Sequence, residues 1–176
     1  MAEGATLADD AGWDQLTLAA LAARFGVAVP SLYKHVDGLP ALRRGISVLA
    51  VNELGAVLAA ADRRAAPDPD ARLRALAEAY RRWALRHPGR YDATVRAAPV
   101  GDREHVAASD RVLRLVLEIL QEQGLGGDAA VDAARTLRAA LHGFVVLEMS
   151  GGFGLSRDVE RSFAAMVATI QRGLDA

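Results

Sequence analysis

Three groups of residues in the chain have types that could do chemistry. Ser31-Leu32-Tyr33-Lys34 has the serine-x-x-lysine spacing with which some acyl-transfer enzymes set a nucleophile beside a base. His35, His87, His105 and His142 could ligate a metal or move protons. Gly151, Gly152 and Gly154 have the density of a phosphate cradle. Each reading lacks its companions. The serine and lysine lie on a short helix after a turn, without the other motifs of such enzymes. The histidines show neither an H-E-x-x-H pattern nor close metal spacing. The glycines follow a helical pattern rather than a strand and lack a phosphate-binding lysine. The expectation is no enzyme, no metal and no cofactor. A binding role suits the first group better: Tyr33 and His35 can donate to phosphates, and Lys34 adds a cation.

Such a role needs these side chains to project from a free surface, and the flanking residues supply one. Thr17 is a good N-cap for a helix that places Leu18, Leu21, Ala22 and Phe25 on one face, and Gly26 closes it. A further helix over Val29–His35 carries Pro30 in its first turn, where a missing N–H is harmless. Small Ala22 lets the two axes approach, Val27 is expected to plug the space between them, and Leu32 and Val36 anchor the second helix. Ala28, Pro30, Ser31, Tyr33 and Lys34 are left facing outward. This is the helix-turn-helix template, in which the N-terminal residues of the second helix meet base edges in the major groove.

The run from Leu16 to Val36, L-T-L-x-x-L-A-x-x-F-G-V-x-x-x-S-L-Y-x-H-V, resembles the signature of the TetR family of regulators, over about 45 residues. The resemblance implies phosphate contacts from Tyr33 and His35, and positions at or near bases for Ala28, Val29, Pro30, Ser31 and Lys34. Thr17, at the start of the first of the two helices, joins the same DNA-binding set. It also implies a repressor that binds palindromic double-stranded operator DNA as a homodimer and lets go when a small effector binds. Leu39, followed by Pro40, stands where the family usually has a lysine that meets a phosphate. Further on, Trp83 with His87-Pro88, and Leu141-His142-Gly143-Phe144, resemble the Trp and His-Gly marks of one C-terminal domain class among these regulators.

The whole chain of 176 residues reads as all-α, with about nine helices and no alternating strand pattern. A three-helix helix-turn-helix head is expected over residues 1–45, and a helical ligand-binding and dimerisation bundle over 46–176. The first helix is expected to be short, over Thr6–Ala11, and the fourth to open at Pro40. Later helices are expected up to His87, over Arg90–Ala97, Arg103–Gln123 and Ala129–Ser150, and over Arg157–Gly173. The seventh is apolar around most of its circumference and should be largely buried. Trp83, His87, Tyr91, Leu113, Leu117, His142 and Phe144 could line an apolar pocket with a few polar anchors for a small, largely apolar ligand. The same positions also suit ordinary core packing. Glu148 lies within an apolar run and needs a partner if buried, for which an arginine of a neighbouring subunit is one source and a solvated helix edge the alternative. Wide apolar arcs with many alanines on the last two helices predict a two-fold four-helix dimer interface.

Composition sets the remaining bounds. There is no cysteine, so disulfides and thiolate metal sites are excluded. The opening residues have no basic segment followed by an apolar run, and no stretch of about 18 uninterrupted apolar residues occurs. A cytoplasmic protein with no signal peptide and no membrane span is the expectation. Net charge is −1, so attraction to DNA must come from a local patch. Residues 1–45 do not supply one by composition: Arg24, Lys34, Arg43 and Arg44 stand against Glu3, Asp9, Asp10, Asp14 and Asp37. That balance keeps a second reading open, a helical ligand-binding or interaction protein of the same fold with weak or lost DNA binding.

Overall fold

Alanine, leucine and arginine at helical spacing, cut by glycine and proline, give a chain built from helices alone. The computed structural model describes residues 1–174. Among these lie nine α-helices and no strand: α1 Ala2–Ala11, α2 Leu18–Phe25, α3 Val29–Leu32, α4 Gly38–Asp62, α5 Pro69–Arg86, α6 Pro88–Val95, α7 Arg103–Glu122, α8 Gly127–Met149 and α9 Val159–Leu174. A single 3-10 turn, Trp13–Gln15, links α1 to α2. Side chains cap several helix starts. Thr17 accepts from Ala20 N–H at 3.0 Å, Asp68 from Ala71 N–H at 2.9 Å, and Asp158 from Arg161 N–H at 3.2 Å.

The helix count agrees with the sequence pattern, while several boundaries do not. α1 starts at Ala2 rather than Thr6. Gly4 lies within α1, and its missing side chain is what lets α1 close on α4, because a Cβ there would sit 2.9 Å from Ile46 Cδ1. α3 is one turn, Val29–Leu32, and the expected continuation to His35 is a tight turn in which His35 and Val36 N–H both bond to Leu32 C=O. α7 is not largely buried. Ile119 and Leu120 are sealed, but Leu113 is 46% exposed and Leu115, Val116 and Leu117 are only partly covered. α4 is long and apolar enough by length and composition to cross a membrane, with 33% of its most apolar window buried.

The chain forms two compact units. One comprises Met1–Leu54 and Arg86–Ser109. Its core is made by Ala5, Ala8, Leu16, Leu21, Leu32, Leu42, Ile46, Ala50 and a fully buried Tyr91. α1 and α6 meet backbone to backbone. A Cβ on Gly89 would lie 2.0 Å from Ala8 C=O, so no larger residue fits this approach. Asp9 then seals the start of α6, accepting from Arg90 N–H at 2.8 Å and lying 3.1 Å from His87 Nδ1. The Arg90 guanidinium is 3.2 Å from the same carboxylate, an ion pair without hydrogen-bond alignment at Nε, and reaches on to Glu53 and Thr6.

Among the described residues the second unit comprises Gly55–Leu85 and 110–174. Leu73, Leu76, Trp83, Ile119, Leu120, Leu137, Leu141, Val145, Phe163 and Val167 fill it. Arg81 of α5 is its polar pin. It grips Glu148 of α8 through two bonds of 2.7 Å, pairs with Glu160 of α9, and lies over the rings of Phe163 and Phe144 at 4.9 and 5.9 Å. The partner expected for Glu148 from another subunit, or from solvent, is therefore supplied within the chain. Glu148 and Glu160 together hold the Arg81 guanidinium above its already high ordinary pKa.

The contact at Gly89 yields a direct expectation. Gly89→Ala forces α1 away from α6 and should destabilise the protein by about 3 kcal/mol, lowering its melting temperature by roughly 6–12 °C in a thermal scan. A melting temperature equal to that of the parent would show that the close approach is not needed.

Candidate nucleic-acid interface

The interface is built from a backbone reversal. Gly26 takes φ +65°, ψ +31°, the left-handed conformation open to glycine, and ends α2. Gly26 N–H bonds to Ala23 C=O and Val27 N–H to Ala22 C=O, at 3.1 and 3.0 Å. Ala28, extended, starts α3, and Pro30 lies in its first turn. α3 is held by Leu32, which is 6% exposed, with Val36 partly buried behind it. Leu21 and Ala22 of α2 are buried too.

Two of the expected packing residues are not inside. Phe25 is 51% exposed and Val27 is 43% exposed, so neither fills the space between the helices. With α3 only one turn long, Ala22 and Leu32 suffice to close that seam. The outward set is placed as its spacing implied. Thr17, Ala28, Pro30, Ser31, Lys34 and His35 are exposed, Tyr33 is 57% exposed, and Val29 is partly buried.

The charges around this surface are not all available. Arg24 is tied to Asp10 at 2.7 Å and Glu3 at 3.2 Å, and these carboxylates, Asp10 foremost, raise its pKa. Arg44 forms a two-bond fork on Asp102 at 2.7 Å and also reaches Glu104. Arg44, with help from His105 N–H, holds the Asp102 carboxyl below the usual carboxylate range, while Asp102 caps α7. Lys34 and Arg43 are the two cations of residues 1–45 with no such ion pair. Arg43 lies over the Trp13 ring at 5.5 Å, and its Nη2 donates long bonds of 3.4 and 3.5 Å to the Trp13 and Leu16 carbonyls.

The residues considered for a pocket fall in both units. Trp83 is 5% exposed, His142 and Leu117 are partly buried and Leu113 is exposed in one, whereas His87 and Tyr91 belong to the other. Phe144 packs into an aromatic cluster, its ring 4.6 Å from Phe153 and 5.1 Å, edge-on, from Phe163. Among the described residues no three His, Asp or Glu side chains converge as a metal site.

Sequence reasoning missed the Trp13–Arg43 stack, the Asp9 cap on α6, and His105, which is 4% exposed with no partner at either ring nitrogen. Each joins residues distant in the chain or depends on what a fold encloses, and no local spacing announces it.

Residues 73–170 match the family model described as tetracyclin repressor-like, C-terminal domain. An uncharacterized HTH-type transcriptional regulator of Mycobacterium tuberculosis, Rv0681, is 41% identical over 98% of this chain and 79% of its own length. A second, YobS of Bacillus subtilis, is 34% identical over 97% of this chain and 87% of its own length. Among solved structures, a protein of unknown function from Rhodococcus sp. RHA1 superposes with a TM-score of 0.84 at 28% identity, covering 99% of this chain and 93% of that one. The TetR family regulator PfmR of Thermus thermophilus gives a TM-score of 0.71 at 24% identity, over 99% and 97% of the two chains. ActR of Streptomyces coelicolor, solved in complex with (S)-DNPA, gives 0.69 at 18% identity over 98% and 93%, and shares the fold. The helix-turn-helix geometry, the matched C-terminal domain and the full-length relatives agree: this chain belongs to the TetR family of transcriptional regulators.

Proposed function

We propose that this regulator is a repressor that binds palindromic operator DNA as a homodimer and is released by a small, largely apolar effector. Residues 1–45 serve as the DNA-binding part and 46–176 as the ligand-binding and dimerisation part, in a protein that works in the cytoplasm. The observation that carries the reading is the exposed turn that ends α3, where Tyr33 and Lys34 follow directly on a helix held by buried Leu32. Tyr33 and His35 are assigned to phosphates, Ala28, Val29, Pro30, Ser31 and Lys34 to base edges or their surroundings, and Thr17 to the same DNA-binding set.

Dimerisation is supported by what α8 leaves uncovered. Val131, Val146, Leu147 and Met149 are each at least 36% exposed, beside exposed Ala139 on α8 and Ala164 and Ala165 on α9. An apolar surface of this kind is costly in water and fits a two-fold four-helix contact. Two recognition helices held about one turn of DNA apart would read a palindrome. The effector reading draws on Trp83, Leu117 and His142, apolar and polar groups on one helical bundle, and on the ligand-bound state of ActR, which has the same fold. An effector releases DNA only by binding the two states with different affinity.

A second reading, the same fold with weak DNA binding, is favoured by the internal neutralisation of Arg24 and Arg44. Salt separates the two. Operator affinity of a functional repressor should fall steeply with salt, and Lys34→Ala should weaken binding on all sequences and reduce the slope of log K against log salt by about one. Affinity that ignores both salt and the substitution supports the second reading. Leu147→Glu should convert the dimer to a monomer in sedimentation and weaken operator binding with it; a dimer that survives would move the interface elsewhere. Operator affinity measured with and without a bound small molecule tests release, and an unchanged value would remove the switch.

A further inference from the structure

Resting on the DNA-binding reading, we propose that Arg43, stacked on Trp13, is a phosphate contact of the DNA-bound head. Attraction to a duplex requires positive charge that the protein has not already neutralised. Of the cations in residues 1–45, Arg24 is spent on Glu3 and Asp10, and Arg44 on Asp102 and Glu104. Lys34 and Arg43 remain. Lys34 stands just after α3, and Arg43 lies one helical turn beyond Leu39 on α4, on the same helix face.

The surroundings of Arg43 orient its guanidinium and leave its charge unpaired. Only Nη2 bonds to the protein, weakly, to two carbonyls at 3.4 and 3.5 Å. Neutral carbonyls orient a guanidinium without cancelling its charge. Nη1 makes no hydrogen bond, and Nε is buried without a partner. The Trp13 ring, 5.5 Å away, restricts the side chain, so less conformational freedom remains to be lost on binding. One of the two carbonyls belongs to Leu16, the residue before the Thr17 cap. Thr17 accepts from Ala20 N–H, and the N–H groups of Leu18 and Ala19 at the start of α2 lie outside that cap.

A phosphate contact is independent of sequence, so mixed-sequence duplex DNA is a sufficient probe with the full chain. Arg43→Gln should weaken binding several-fold at low salt and reduce the slope of log K against log salt by about 0.9. Arg43→Lys should keep most of the slope, and Leu39→Lys added to Arg43→Gln should restore it. A loss of affinity with unchanged slope would make Arg43 a packing residue, and no loss at all would overturn the proposal outright. The Arg43 Nε–H resonance of the unsubstituted protein gives a readout independent of any folding defect. It should shift on addition of duplex, and a stationary signal would also overturn the assignment. If Lys34→Ala weakens binding while Arg43→Gln does not, only Arg43 is excluded. If the parent protein ignores duplex DNA at low salt, the DNA-binding reading itself falls.

Discussion

The reversal of the backbone at Gly26 is the constraint on which the candidate interface depends. A left-handed residue there ends α2, satisfies its last carbonyls through Ala22 and Ala23, and sends the chain into α3 within two residues. A side chain at this φ would be strained, and an α2 prolonged by another turn would carry Tyr33 and Lys34 onto different faces. Because α3 is a single turn pinned by one buried leucine, its position is set almost wholly by that reversal and by Leu32. Thr17 does the corresponding task at the other end of α2.

Charge in the first unit is organised by pairing rather than by excess. Its acidic residues look unfavourable for a DNA-binding surface when counted along the chain, but several are committed internally. Glu3 and Asp10 hold Arg24, Asp9 caps α6, and Asp102 caps α7 while holding Arg44. Such pairs are mostly exposed, so each adds little to stability. Their larger effect is on the field outside: Arg24 with Glu3 and Asp10, and Arg44 with Asp102 and Glu104, are each one positive charge between two negative ones, so neither arginine offers net positive charge to a duplex. Attraction of a polyanion is then left to the unpaired cations and to oriented N–H groups, against the net negative charge of these groups.

The second unit relies on a different polar device. Arg81 is nearly buried and reaches two carboxylates on two other helices, with aromatic rings closing around it. Removing one member of such a buried pair leaves an uncompensated charge, which is far more costly than the pair is favourable. The arrangement ties α5 to α8 and α9 with directional bonds where alanine-rich faces alone would allow sliding. It also frees Glu148 from any need of a second subunit, so the apolar residues exposed on α8 are a separate feature.

Helix count, fold class and the helix-turn-helix segment were legible in the sequence by itself, because they rest on local physics: periodic apolar positions, Thr17 as a cap, Gly26 as a stop and Pro30 in a first turn. The family was legible through the resemblance of the run Leu16–Val36 to the TetR signature. The start of α1, the length of α3, the exposure of Phe25 and Val27, and the half-exposed middle of α7 were not. Each depends on which neighbour covers a face, and an apolar residue in a pattern carries no label saying whether a neighbour arrives. The Arg43–Trp13 stack, the Asp9 cap and the Arg81 pin were decided only by tertiary structure, since they join residues 30 to 81 positions apart through side-chain reach that no spacing rule encodes. Local chemistry determined the elements, and long-range burial determined which of their charges remain free to act.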